Sequence, residues 1–237
     1  MSGKEMHITH LWPELLNANG SQGNVLCLKR RLEWRGFSAG VEEVPLGDEP
    51  DWAGTDLVYI GGGTLPEQSG LWEETERLRA GFADYVAHGG AVLAVCEGFE
   101  LLGRRVVLAD GTEKAGFGLG SFVTEYGSNR LTGPVVFEYR GQNAAAFENH
   151  AGRIHLDRAE DAAGKMLQGY GNDDVSDAVG YRKGNVFGFP LCGPLLPRNA
   201  FLADDILASL PGAPSLEPLD DALEEMARQV IVKRWEK

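Results

Sequence analysis

The stretch Ala91-Val92-Leu93-Ala94-Val95-Cys96-Glu97-Gly98-Phe99-Glu100-Leu101-Leu102-Gly103 decides the fold. Its first five residues are apolar without a break, the pattern of a central parallel strand covered on both faces. Beyond Cys96 the apolar positions fall at Phe99, Leu101 and Leu102 before Gly103, which reads as a short helix opening at Glu97. A buried strand that passes through one residue into a helix is an elbow. The side chain at its turn projects from the end of the sheet, facing backbone N–H groups that can hold an oxyanion, and the helix dipole favours a thiolate there. On position alone Cys96 is equally a nucleophile or a buried structural cysteine, since free cysteines are among the most buried residue types.

Upstream of the elbow, short β-type runs alternate with amphipathic helical stretches: Met6–Trp12, Asn24–Arg35, Phe37–Val44, Asp56–Ile60 and Leu71–His88. This alternation predicts a flavodoxin-like α/β fold, a mainly parallel sheet with helices on both faces. Ligands bind such sheets at the carboxyl ends of the strands, where Gly61-Gly62-Gly63 and Cys96 fall. Glycine there lets backbone N–H groups approach a substrate carbonyl closely, so Gly62 is a candidate oxyanion donor. From about Ser121 to Phe189 the pattern turns β-rich, with Val135–Tyr139, Ala144–Phe147 and Asn185–Phe189 as candidate strands of an added layer. Two helical patterns close the chain, Ala200–Leu210 and a surface helix over Pro218–Trp235, whose acidic stretch Glu217–Glu225 reads as a solvated helix start.

Composition bounds the function. The chain has 237 residues with no repeat or linker, so residues 1–237 are expected to form a single domain. A formal net charge of -13 argues against a nucleic-acid partner, and no apolar run approaches the roughly 18 residues of a membrane span. Three widely spaced cysteines make neither a disulfide framework nor a zinc signature, and no leader pattern opens the chain, so a cytoplasmic protein with reduced thiols is expected. The dinucleotide fingerprint and the phosphate-binding loop with its lysine are both missing, which discounts NAD and ATP. His7, His10 and His88 have no metal-site spacing with acidic residues. Neither a cofactor nor a metal is expected.

Several ordered motifs together resemble class I (triad) glutamine amidotransferases, in particular the CobB/CobQ-like, cobyric-acid-synthase-like branch and, within it, the GatD-type glutaminase subunits of lipid II isoglutaminyl synthases. They are the run Gln22-Gly23-Asn24-Val25-Leu26-Cys27-Leu28-Lys29-Arg30-Arg31-Leu32-Glu33-Trp34-Arg35-Gly36, Ile60-Gly61-Gly62-Gly63 with Glu67-Gln68, and the Cys96 elbow, which is similar to a Cys-x-Gly-x-Gln motif. Phe147-Glu148-Asn149-His150-Ala151-Gly152-Arg153, Gly169-Tyr170-Gly171-Asn172 and Gly193-Pro194-Leu195-Leu196-Pro197-Arg198-Asn199 complete the set. The resemblance implies L-glutamine as substrate, with Cys96 attacking its side-chain amide and the N–H groups near Gly62 and Glu97 holding the oxyanion. It implies that Arg130 clamps the glutamine carboxylate, a natural task for a bidentate cation; the other reading of Arg130 is a surface arginine in a turn. It further implies a Mur-ligase-like partner of MurT type, which takes up the released ammonia and uses ATP to amidate D-glutamate of the lipid II stem peptide in peptidoglycan synthesis. A cobyric-acid-type amidation is the alternative.

The chain departs from that pattern at three positions. Where the family carries its catalytic histidine, directly before Gly-Pro-Leu-Leu-Pro, this chain has Cys192. A thiol with a reference pKa near 8.5 replaces an imidazole poorly at neutral pH, and acid–base catalysis contributes about 100- to 10,000-fold. Glu100 stands at the motif's glutamine and Glu97 follows the nucleophile, so both are expected to add negative charge beside Cys96 and disfavour its thiolate. Three consequences compete. His150, or less readily His155, serves as base; or the chain is a catalytically degenerate subunit that binds a ligand or regulates a partner; or Cys96 and Cys192 lie close enough to form a redox-sensitive pair.

Overall fold

A computed structural model describes residues 5–63, 69–210, 212–213 and 215–235; Glu67 and Gln68 of the glycine-rich motif lie outside these. Among the described residues the main sheet has six strands. They are β1 (Met6–Leu11), β2 (Ala39–Val44), β3 (Leu57–Ile60), β4 (Ala91–Val95), β11 (Tyr181–Lys183) and β12 (Val186–Phe189), in the order β11-β12-β4-β3-β1-β2. All neighbours run parallel except β11 and β12.

The apolar run of β4 does what its composition requires. Ala91, Leu93 and Val95 enter one core, with Val25, Leu28 and Leu32 of α1 (Gly23–Glu33) and Leu202 and Ile206 of α4 (Ala200–Ala208). Val92 and Ala94 enter the other, with Leu71, Leu78 and Phe82 of α2 (Ser69–Ala87) and Phe99 of α3 (Glu97–Leu102). All five β4 side chains are fully enclosed, and each large one contributes about 1.5–3 kcal/mol of transfer free energy. The expected parallel sheet with helices on both faces is therefore present.

The second layer is larger than the sequence pattern suggests. β7 (Phe122–Tyr139) and β8 (Gln142–Leu156) form one long antiparallel hairpin, flanked by β5 (Arg105–Val107), β6 (Glu113–Ala115), β9 (Gly164–Gln168) and β10 (Ala178–Val179). Two of the three strands expected in this layer, Val135–Tyr139 and Ala144–Phe147, are only its turn-proximal half; the third, Asn185–Phe189, lies instead in the main sheet as β12, paired with β4. Arg140 and Gly141 make the connection with φ of 51° and 81°, the two left-handed residues that a tight hairpin matching strand twist demands. The rest was hidden by Gly127, Gly133 and Pro134, which read as turn residues. A bulge between Tyr126 and Leu131 absorbs the irregularity without ending the strand. The last helix, α5 (Ala222–Trp235), packs on β8 and starts four residues later than expected, after Pro218.

Candidate active site

Three strand ends converge. Cys96 follows β4 with φ 53° and ψ -128°, a left-handed conformation that costs an L-residue strain and persists only where surrounding structure dictates it. The dictating bonds are on either side. The Cys96 N–H donates to the Phe189 carbonyl at the end of β12 (2.8 Å), and the Gly98 N–H donates to the Gly61 carbonyl beyond β3 (3.0 Å). Gly62 lies so near that a Cβ built on it would come within 2.7 Å of the Cys96 Cβ, so no larger residue fits without displacing the elbow. The elbow geometry read from the sequence is present.

Cys192 stands three residues beyond β12, and parallel pairing of β12 with β4 carries it to the elbow. Its N–H donates to the Phe147 carbonyl (2.8 Å) and its sulfur sits 3.5 Å from the Asn149 carbonyl. Cys96 and Cys192 are joined by a disulfide, their Cα atoms 5.1 Å apart. This corrects the expectation of reduced thiols. Spacing along the chain hid the pair because the two residues are 96 positions apart and meet only through the sheet order. Cys27, the third cysteine, stays a free thiol on α1, where burial pushes its pKa up to about 12.

Arg130 comes off the bulge of β7. Its Nε donates to Asn149 Oδ1 (2.8 Å), and its Nη2 donates to the Asn149 carbonyl and lies 3.4 Å from Glu97 Oε1. Glu97 Oε2 in turn accepts the Gly63 N–H at 3.1 Å. A carboxylate of the protein itself thus sits at the guanidinium that the sequence reading expects to clamp a substrate carboxylate. Gly62 likewise spends its N–H on Ser21 Oγ, at 3.2 Å.

Burial raises the Glu97 pKa, with Arg130 and nearby amides opposing. Burial and then the charge of Glu97 push the Glu100 carboxyl well above the usual range, against a hydrogen bond donated by Tyr126 (2.7 Å). The two carboxyls expected to add negative charge beside Cys96 carry less of it than their types alone would. Glu97 is paired with Arg130 and Glu100 favours its neutral form, because an enclosed carboxylate without a cation loses its hydration.

His150 does not turn toward the sulfurs. On β8 its side chain shares a face with Glu148 rather than with Asn149, as strand alternation requires. Its Nδ1 bonds the Gly152 carbonyl (2.8 Å) and its Nε2 lies 3.8 Å from Glu148 Oε2. The Glu148 oxygens accept the N–H groups of Tyr170 and Gly171, each at 2.9 Å, so the Glu148-Asn149-His150 motif ties β8 to the loop after β9. His155 lies between Glu125 and Asp173, His88 bonds the Asp84 carbonyl, and His10 packs edge-on against Tyr59, where burial lowers it to about 4. Among the described residues no histidine nitrogen hydrogen-bonds either sulfur.

Donor atoms of Cys96, Glu97 and Cys192 lie within 4.8 Å of one another. With the sulfurs joined they carry no thiolate charge, and both Glu97 oxygens are engaged, so this donor set does not suit a metal ion. Asn149, Ser21 and Tyr126 were not singled out from the sequence. Asn149 alone had a signal, its place inside the Glu148-Asn149-His150 block.

The fold and the elbow define the glutamine amidotransferase class. Residues 7–200 match the CobB/CobQ-like glutamine amidotransferase domain, and the chain belongs to that family. It is 32% identical over 236 residues to the GatD subunit of lipid II isoglutaminyl synthase (glutamine-hydrolyzing) of Staphylococcus aureus, covering 97% of this chain and 96% of that one. With the GatD subunit of Streptococcus pneumoniae it shares 35% identity over 202 residues, 84% of this chain and 78% of the relative. Among solved structures, a glutamine amidotransferase of Thermotoga maritima superposes with a TM-score of 0.55 at 13% identity, covering 97% of this chain and 94% of that one. That likeness establishes the fold alone. No helix among the described residues is long and apolar enough to cross a membrane.

Proposed function

We propose that this chain is the glutaminase subunit of a lipid II-amidating synthase, working in the cytoplasm beside a MurT-like Mur ligase. The observation that carries the reading is Cys96, held at φ 53° on the elbow of a chain that aligns with a GatD subunit over 97% of its length. With its bond to Cys192 open, the Cys96 sulfur attacks the side-chain amide carbon of L-glutamine. The C–N bond breaks, ammonia leaves, and water hydrolyses the glutamyl thioester to glutamate. Arg130 exchanges Glu97 for the substrate carboxylate, the Gly62 N–H exchanges Ser21 Oγ for the oxyanion, and the Glu97 amide faces the same oxygen. Cys192 relays the proton from the place where the family has histidine. The ammonia passes to the partner, which amidates the D-glutamate α-carboxyl of the stem peptide at the expense of ATP.

A second reading rests on the committed histidines and the occupied clamp: a catalytically degenerate subunit that binds a ligand or regulates its partner. Ammonia release from glutamine by dithiol-reduced protein, with and without the ligase, separates the two. The first reading expects slow release by the wild type, none by Cys96→Ala, and about 100- to 10,000-fold faster release by Cys192→His, the usual reach of a restored acid–base group. Release by Cys96→Ala at the wild-type rate overturns it. Turnover by Cys192→His alone establishes the degenerate subunit.

A further inference from the structure

We propose that Cys96 and Cys192 are a reversible redox-modification site, closed by a hydroperoxide and reopened by a small dithiol, that withdraws and returns the nucleophile without moving the backbone. The consequence for catalysis rests on the glutaminase reading above; the modification itself does not.

Four observations meet here. The sulfurs are bonded across Cα atoms 5.1 Å apart, inside the range in which two cysteines join without backbone movement. Each backbone is fixed independently of that bond, Cys96 by the Phe189 carbonyl and Cys192 by the Phe147 carbonyl, so opening it leaves two thiols facing each other. Cys192 lines a cavity of about 200 Å³ with Asn19, Phe147, Asn149 and Arg198, room for a peroxide or a small thiol where a water takes about 30 Å³. The remaining cysteine, Cys27, is half-buried elsewhere on α1 and has no second sulfur to join. One pair therefore has both a partner and a path.

The chemistry balances. The Cys192 thiolate attacks one oxygen of hydrogen peroxide; the O–O bond breaks, the departing oxygen leaves as water after protonation, and Cys192 becomes a sulfenic acid. The Cys96 sulfur attacks that sulfur, the S–O bond breaks, and the hydroxyl leaves with the Cys96 proton as a second water. Two thiols and one peroxide give one disulfide and two waters. In reverse, a dithiol attacks Cys192 from the cavity, releases the Cys96 thiol, and closes its own disulfide to release Cys192.

The test counts thiols in the native full-length protein. After dithiothreitol and desalting, N-ethylmaleimide added under denaturing conditions is expected to modify all three cysteines. After hydrogen peroxide it is expected to modify Cys27 alone, with the joined peptides of Cys96 and Cys192 two hydrogens lighter than their sum. Three adducts persisting after peroxide, or a bond that dithiothreitol opens only after denaturation, overturns the inference. In Cys192→Ser, peroxide is expected to leave no disulfide at Cys96; a mixed bond to Cys27 instead would place the pairing elsewhere. A glutamine-derived chloroketone then separates this inference from the functional reading. Labelling of Cys96 in the reduced protein and its loss in the oxidised one supports both. Equal labelling in both states overturns the switch. A thiol count that switches while reduced protein is neither labelled nor releases ammonia leaves the redox site standing and removes the glutaminase.

Discussion

Glu100 is enclosed at 1% exposure, with Tyr126 donating to one oxygen and Glu97 contributing a like charge nearby. Burial first, and then that charge, set its folded pKa well above the value of an unfolded glutamate. The folded chain therefore binds a proton that the unfolded chain has released. Stability from this group is fully present below the unfolded pKa of about 4.3 and is lost as pH rises through the folded one. Glu100→Gln removes the ionisation and keeps an amide oxygen for Tyr126 to donate to. The variant is expected to melt at the same temperature as the wild type near pH 4 and above it at pH 8, the gap opening as pH rises past the unfolded value. Thermal melts across that range check it; parallel curves would show that the acid carries no strain.

At the scale of elements, the loop that bears Cys192 is held by α1 rather than by its own strand. Asn24 is wholly buried; its Nδ2 donates to the Gly193 carbonyl (3.1 Å) and its Oδ1 accepts the Leu196 N–H (2.9 Å). Asn24→Ala leaves two enclosed backbone groups without these partners and is expected to lower unfolding free energy by about 2–4 kcal/mol, read from urea midpoints at unchanged slope. A loss under about 0.5 kcal/mol would mean that water replaces the side chain. The β4–α3 elbow was legible because the apolar period switches at Cys96 within one short stretch. Arg130 and Glu97 could each be named from motifs, yet their pairing could not. It depends on a bulge that re-aims β7, and a bulge leaves no periodic trace in a strand already broken by Gly127 and Gly133. Cys192 was found as a missing histidine, while its bond to Cys96 required knowing that β12 lies beside β4.

Across the whole molecule, one guanidinium gathers chain segments far apart in sequence. The Arg31 side chain, 2% exposed, reaches from α1 to Asp204 on α4 (2.7 Å) and to Asp221 just before α5 (2.6 Å), partners 173 and 190 residues away. Asp204 also meets Arg35 at 2.6 Å. Burial alone would raise the Asp204 pKa, but the hydrogen bonds from Arg31 and Arg35 outweigh it and hold the carboxyl below its usual 3.8. Its contribution is therefore present above the unfolded pKa and lost as pH falls through the folded one. Arg31→Met leaves the Asp221 carboxylate without this cation and Asp204 with Arg35 alone, in a chain already carrying a net charge of -13. Both are about a third exposed, so water compensates in part. The expected cost at pH 7 is about 2–3 kcal/mol, short of the roughly 3–5 kcal/mol of a fully buried pair that loses one partner. Protonating Asp204 removes a charge that Arg31 offset, so the difference between variant and wild type is expected to shrink below about pH 4. Denaturant titrations at pH 7 and pH 3 measure it. A difference that stays constant would assign the loss to the packing of the Arg31 stem against α4 rather than to charge.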